Sequence, residues 1–408
     1  MTTTSQLATI LPKFKNKHLS HIAFLCGLRV TGKKSELVER LVAAAATTTA
    51  TVKPQKSAKQ SNDNKKPPLI LSIDLGIRNL GFSLLTPVTT KIPTTTTLPL
   101  TAANIRAPPR VRLHAWQRRP LLLPADIAAI SDPNPDPNNT DTAPAVLTPD
   151  PEPYSPASLA IAADRLTRRD VLPLKPTHVL IERQRWRSAG GSSVQEWTLR
   201  VNTLEAMLHA SLRTLRELHY WDGEIISVAP ERVTRFWPAP AVPVVAAVAK
   251  KEAKGKKSRK DVAVVVDEDG QEIEVEVDVD ADADAAAPAG KTRINSKKHK
   301  IGVLTGWLRQ GRASENEIVV PANPDTQSAV EQFRGKLSRV RRSKAAADDE
   351  TAVVRDAGSR KIDDLTDSLL QGVAWLKWEE NKKRLLTEEG LLQLLGTKIL
   401  DEQVLDDV

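Results

Sequence analysis

Apolar residues along the chain recur at two spacings, period two and period 3.6, in an interleaved order. Short apolar or alternating runs predict strands at 69–76, 81–87, 111–118, 177–184 and 224–230. Helical spacing predicts helices at 158–171, 193–220, 297–310 and 361–385. The second of these places Val194, Trp197, Val201, Leu204, Leu208, Leu212 and Leu215 on one stripe, a core or dimer surface. The first three strands lie close enough in sequence for an antiparallel meander, and the whole pattern predicts an α/β fold. Ahead of them, Leu19, Ile22 and Leu25 predict one short amphipathic helix. Leu37, Val38 and Leu41 predict another, with Ser35 as its N-cap. Gly27 and Gly32 in the intervening "GLRVTG" suit a tight connection.

Where the periodicity stops, composition changes too. Residues 46–68 read as a flexible basic linker between a helical module at 1–45 and a folded domain at 69–386. Three insertions into that domain are expected to be disordered: 131–157 with eight prolines, 239–290, and 343–360. In the second, acids alternate with Val, a pattern also open to a solvated strand. Residues 387–408 form a tail or a further helix. All eight tryptophans fall outside the insertions, which marks the packed core.

Net charge is +9 and the pI about 9.5. Lys250 to Lys260 holds seven bases and one acid, and eleven acids without a base follow between Asp261 and Asp284. The remainder is therefore clearly basic, which favours a polyanionic partner such as nucleic acid. A single cysteine, Cys26, excludes a disulfide framework and a Cys-based zinc site. No apolar run reaches membrane-spanning length, so no membrane partner is expected, nor a secretory signal. The opening, free of acids before Glu36 and rich in Thr and Lys, is compatible with organellar import but lacks an Arg-rich presequence.

The candidate chemistry is carboxylate chemistry. Asp74 interrupts the apolar run "LILSID", and Glu182 ends a second run in "VLIE". "KIDDLTDSLLQ" brings Asp363, Asp364 and Asp367 to the start of a predicted helix, spaced i,i+3 and i,i+4 so that either pair shares a face. Each has an ordinary explanation alone: a turn after Asp74, a surface ion pair at Glu182, a helix cap at Asp363 or Asp364. Brought together they would repel and raise one another's pKa values unless divalent cations sat among them. Hard oxygen ligands suit Mg²⁺ or Mn²⁺, and two such ions activate water and stabilise the leaving oxygen of a phosphodiester. Asp74 would bridge two ions, with Glu182 on one and Asp364 or Asp367 on the other; no small-molecule cofactor is expected. No organised Ser/His or Cys/His pair competes.

Two resemblances follow from these residues. Gly27-Leu28, Gly32, Lys34, Leu37 and Arg40-Leu41 resemble the SAP motif, a small helical DNA-binding unit, in which Lys33, Lys34 and Arg40 would face phosphates. The order strand-Asp, meander, strand-Glu, helix-Asp resembles the RNase H-like nuclease superfamily. Within it, "SIDLGIRNLGFSL", "IERQRWRS", "KIDDLTDSLLQ" and "ISVAPERVTRFW" are similar to fungal mitochondrial Holliday-junction resolvases of the RuvC-like group. The resemblance implies an RNase H-like mixed sheet flanked by helices. It implies a homodimeric, Mg²⁺-dependent mitochondrial endonuclease with two ions per site, acting on four-way DNA junctions. Catalysis would fall to Asp74, Glu182, Asp364 and Asp367, with Asp363 a further metal ligand or a helix cap. Arg183, Gln184, Arg185 and Arg187 would contact DNA beside the scissile phosphate. Two alternatives stay open: an RNase H-like enzyme for RNA or hybrids, and a non-catalytic junction-binding architectural protein.

Overall fold

The computed structural model describes residues 4–50, 67–88, 105–121, 154–184, 196–238, 263–266, 272–275, 296–310, 317–345 and 356–396. Six strands form one mixed sheet: β1 (Ile70–Asp74), β2 (Leu80–Pro87), β3 (Val111–Arg119), β4 (His178–Glu182), β5 (Glu224–Val228) and β8 (Val319–Pro321), in the order β5-β4-β1-β2-β3-β8. β1, β2 and β3 form the expected antiparallel meander, while β4 joins β1, β5 joins β4 and β8 joins β3 in parallel. β8 is three residues long, too short to leave a readable alternation in the sequence.

Side chains alternate across a pleated sheet, so each strand splits into two sets. Leu71 and Ile73 of β1, Leu80, Phe82 and Leu84 of β2, and Val179 and Ile181 of β4 pack under α4 (Pro156–Arg165) and α5 (Glu196–Glu217). Val201, Leu204, Leu208 and Leu212 of α5 are buried there, so the apolar stripe is core. Ile70, Leu85 and Leu180 face the opposite layer, built on α9 (Asp356–Arg384), with α6 (Pro230–Phe236), α7 (Ser296–Gln310) and α8 (Pro324–Ala345) around it. Asp74 has the parity of Ile70, and Glu182 that of Leu180. Both carboxylates therefore belong to the α9 face.

Several boundaries differ from expectation. α9 begins at Asp356 and α8 runs to Ala345, so helix invades the 343–360 insertion from both sides. α4 gives way to a wide helical turn at Leu166–Val171. The insertion at 239–290 contains a two-stranded antiparallel ribbon, β6 (Ala263–Val266) with β7 (Glu272–Val275), where alternation at period two won over polarity. The end of the 131–157 insertion is ordered as well, with Ser155 capping α4 from Pro156 and Tyr154 just ahead of it, and the remaining insertion positions lie outside the described residues. α10 (Glu388–Leu395), capped by the Thr387 hydroxyl accepting from Gly390 N–H at 3.1 Å, occupies part of 387–408.

The N-terminal segment forms α1 (Thr4–Ile10), α2 (Asn16–Leu25) and α3 (Lys34–Ala50). α3 continues into the expected linker because "AAAATTTA" opens with strong helix formers. Its first turn is closed by Glu36, whose carboxylate accepts from the Lys33 backbone N–H at 3.3 Å; Ser35 lies inside the helix and is not its cap. Gly27 and Gly32 adopt φ of +67° and +136°. These helices do not close around a core of their own. Leu7, Leu19, Ile22, Leu37 and Leu41 share one buried cluster with Leu369, Val373, Trp378 and Leu394. Asn381 of α9 donates to Leu25 O at 2.8 Å, and Arg232 to Gly27 O at 3.2 Å.

Candidate active site

The site is assembled where α9 crosses the carboxyl ends of β1 and β4. Four side-chain hydrogen bonds fix that crossing. Ser83 donates to Ser368 O at 3.0 Å, Trp116 Nε1 to Leu365 O at 2.9 Å, and Gln371 Nε2 to Ser72 Oγ at 3.1 Å and to Ile73 O at 3.2 Å. Gly81 pairs with Asp74 in the ladder, and a Cβ there would lie 2.4 Å from Asp364 O. Only glycine lets the helix come this near β2.

The crossing brings Asp74, Glu182, Asp364 and Asp367 together, while Asp363 sits beside them. The Asp74 and Glu182 carboxyl groups lie against each other. Burial, then Glu182, Asp367 and Asp364, hold the Asp74 carboxyl far above the usual carboxylate range. Burial also pushes Asp367 up to about 6; Lys300 opposes this, and Glu182 and Asp363 add to it. Asp364 is raised by burial against the pull of Arg118.

Cations of the chain itself stand against the helix acids. Arg118 Nε of β3 donates to Asp364 Oδ2 at 2.8 Å and its terminal nitrogen to Asn79 Oδ1. Lys300 Nζ of α7 donates to Asp367 Oδ2 at 2.9 Å, and Lys297 Nζ lies 3.3 Å from Asp363 Oδ2. Burial works to lower the Lys300 ammonium, but Asp367, Glu182 and Asp74 outweigh it and hold it above its ordinary value. With the carboxylates turned to these partners, no group of three His, Cys, Asp or Glu among the described residues stands ready to hold a metal ion. Asp363 lies about two turns inside α9, which excludes a capping role, and apart from the Lys297 ion pair both its buried oxygens make no hydrogen bond.

The exit of β4 is held separately. Arg183 N–H donates to Val228 O at 2.8 Å, extending the ladder by one residue. Glu205 of α5 then accepts from the Gln184 backbone N–H at 2.8 Å, and Gln184 Nε2 reaches Leu75 O at 3.4 Å, tying the two strand exits together. The Arg183 guanidinium lies 3.8 Å from Glu231. Arg185 and Arg187 fall outside the described residues. Lys33 and Lys34 are exposed, whereas Arg40 donates to the carbonyls of Arg29 and Thr31 and closes that turn. Sequence reasoning missed Arg118, Lys300 and Glu205 as members of the site. Lys300 was visible only as part of the basic run "NSKKHK", and Arg118 only as one of two arginines ending a strand.

A family model described as mitochondrial resolvase Ydc2 / RNA splicing MRS1 matches residues 70–385. The chain belongs to this family. The match spans the sheet and all five acids and begins after the N-terminal helices. The chain is also 27% identical over 234 residues to the mitochondrial cruciform cutting endonuclease 1 of Schizosaccharomyces pombe. That alignment covers 55% of this chain and 66% of the relative, just short of two thirds of its length. The crystal structure of the yeast mitochondrial Holliday junction resolvase Ydc2 superposes with a TM-score of 0.44 at 19% identity, over 90% of this chain and 95% of the other. The chain carries the mixed α/β sheet flanked by helices that its sequence predicts. Among the described residues no helix is long and apolar enough to cross a membrane.

Proposed function

We propose that this protein is a mitochondrial endonuclease that resolves four-way DNA junctions by paired phosphodiester hydrolysis. One observation carries the reading: acids from two strand ends and one helix converge on a single point although burial and then their mutual repulsion raise Asp74 and Asp367. An arrangement that costs stability persists where function requires it. The family description names both junction resolution and RNA splicing. The converged acids favour the nuclease, since a purely RNA-binding member gains nothing from a buried cluster of negative charge.

The donor set fits hard divalent cations. Asp363 has two buried oxygens that make no hydrogen bond, and burial together with the neighbouring acids raises Asp74, so a cation placed among them would be favoured. Asp74, Glu182, Asp364 and Asp367 would hold Mg²⁺, two ions per site, with Asp363 beside them. Bound there, Mg²⁺ supplies the Lewis acidity that hydrolysis of a phosphodiester needs. Arg118 and Lys300 hold the helix acids in place without metal and turn their charge toward the DNA phosphate once those acids turn away. Gln184, fixed by Glu205, keeps the exits of β1 and β4 in register. A junction offers two equivalent strands, which fits a two-fold homodimer.

The test is cleavage of a labelled four-way junction in Mg²⁺ by the wild type and Asp74→Asn. Paired nicks lost in the variant, with junction binding retained, support the reading. A wild type that binds junctions but never cuts them, in Mg²⁺ or Mn²⁺, leaves the non-catalytic alternative. Faster cutting of RNA or hybrid than of a junction overturns the substrate.

A further inference from the structure

Beyond the carboxylates, the described residues hold a cluster of two aromatic rings and two guanidinium groups. Tyr154, just ahead of α4, and Trp197, in the first turn of α5, meet edge to face with centroids 5.3 Å apart. Arg78 Cζ lies 5.4 Å from the Trp197 centroid and 5.8 Å from that of Tyr154, and its Nε donates to the Tyr154 hydroxyl at 2.8 Å. Arg200 Cζ stands 4.7 Å over the Tyr154 ring and pairs with Glu196 at 2.5 Å. Arg78 is exposed; both rings and Arg200 are half-buried.

Its position in the chain links it to the acids. Arg78 sits four residues beyond Asp74, in the connection leaving β1, and Trp197 and Arg200 open α5, the next described element after β4 and Glu182. The cluster thus draws on the connection that follows β1 and on the start of the next described helix after β4, the two carboxylate-bearing strands. Packing alone needs the rings but not two like charges, which repel each other and are opposed there by Glu196. Guanidinium groups stacked on aromatic rings lose little further freedom when they bind and are weakly hydrated, so they meet phosphate oxygens at low cost. Aromatic edges beside them suit the sugars and bases of the same strand.

We propose that Arg78, Tyr154, Trp197 and Arg200 form a subsite for the sugar–phosphate backbone of the DNA strand that runs to the carboxylates. The subsite deepens the junction-resolving reading and rests on it. Arg78 and Arg200 grip adjacent phosphates, and the Tyr154 hydroxyl sets the plane of the Arg78 guanidinium.

The test is equilibrium binding of a fluorescent four-way DNA junction to the full chain in EDTA, over a range of salt concentrations. Arg78→Ala should weaken binding about tenfold. It should also reduce the slope of log affinity against log salt by about one, because one phosphate contact fewer releases one counterion fewer. Arg78→Lys should keep the slope, and Trp197→Ala should lose affinity at an unchanged slope. If Arg78→Ala lowers the melting temperature, Arg200→Gln carries the same test. Wild-type affinity and slope in both arginine variants overturn the subsite, as does lost affinity at an unchanged slope in the arginine-to-alanine variant, the mark of a merely structural role for that arginine. A wild type that binds junction and duplex DNA too weakly to measure overturns the junction reading and the subsite with it.

Discussion

Replacing Asp367 by Asn removes one charge from the carboxylate group while nearly preserving shape. The size of the effect follows from the shift of Asp367 from its ordinary 3.8 to about 6. At about pH 7 the group is ionised in both folded and unfolded chains, and ionising it inside costs about 3 kcal/mol more. The sign is set by the raised value. Between pH 3.8 and about 6 the folded protein binds more protons than the unfolded chain, so this group's contribution is full below 3.8 and lost as pH rises through 6. Asp367→Asn does not titrate there. Without metal it should therefore be more stable than the wild type near neutral pH, by up to about 3 kcal/mol and less where Lys300 misses its partner. The gain should shrink toward zero by about pH 4. Urea unfolding in EDTA across this range measures the gap. A variant less stable at neutral pH, or a gap that ignores pH, refutes the claim that burial and the neighbouring acids hold this carboxyl above its ordinary value in the folded state.

Other outcomes follow from the same geometry. Gly81→Ala drives a methyl group into the Asp364 carbonyl and should cost about 1–3 kcal/mol, with junction cleavage falling as α9 shifts; thermal melts and cleavage rates read both. Glu205→Ala leaves the Gln184 N–H without its acceptor and should lower the cleavage rate more than junction binding, while Glu205→Gln restores most of it. Gly27→Ala places a Cβ 2.2 Å from the Trp378 ring at a φ of +67°; it should loosen the N-terminal helices, seen as faster proteolysis between α2 and α3. Asp363→Asn should keep cleavage but raise the Mg²⁺ concentration needed for half-maximal rate, because its carboxylate, which makes no hydrogen bond, adds negative charge beside the site.

Much of the fold was readable because it is written in local periodicity. The meander, β4, β5 and helices α4, α5, α7 and α9 follow from apolar spacing, and the convergence of Asp74 and Glu182 follows from residue parity along two parallel strands. What escaped depends on contacts between distant positions. Arg118 meets Asp364 across 246 residues and Lys300 meets Asp367 across 67, and neither basic residue differs in its local sequence from a surface cation. α8 escaped because its polar, basic run resembles solvated loop as much as helix. The helix-cap reading of Asp363 failed because α9 starts seven residues earlier, where little apolar patterning announces it. The N-terminal helices looked self-sufficient, since an apolar stripe does not say which partner it will meet.

That last point changes how the two ends of the molecule relate. A DNA-binding module on a loose tether acts through local concentration and imposes no spacing. Here α9 carries Asp364 and Asp367 near one end, while Trp378 and Asn381 hold the N-terminal helices further along the same rod. Asp364 and Trp378 are separated by about 21 Å along the helix axis. That is about six nucleotide steps of a stacked strand. Under the proposed function, a DNA arm touching the exposed Lys33 and Lys34 would thereby be held at a fixed distance from the carboxylates, and lengthening α9 by one turn should change that distance.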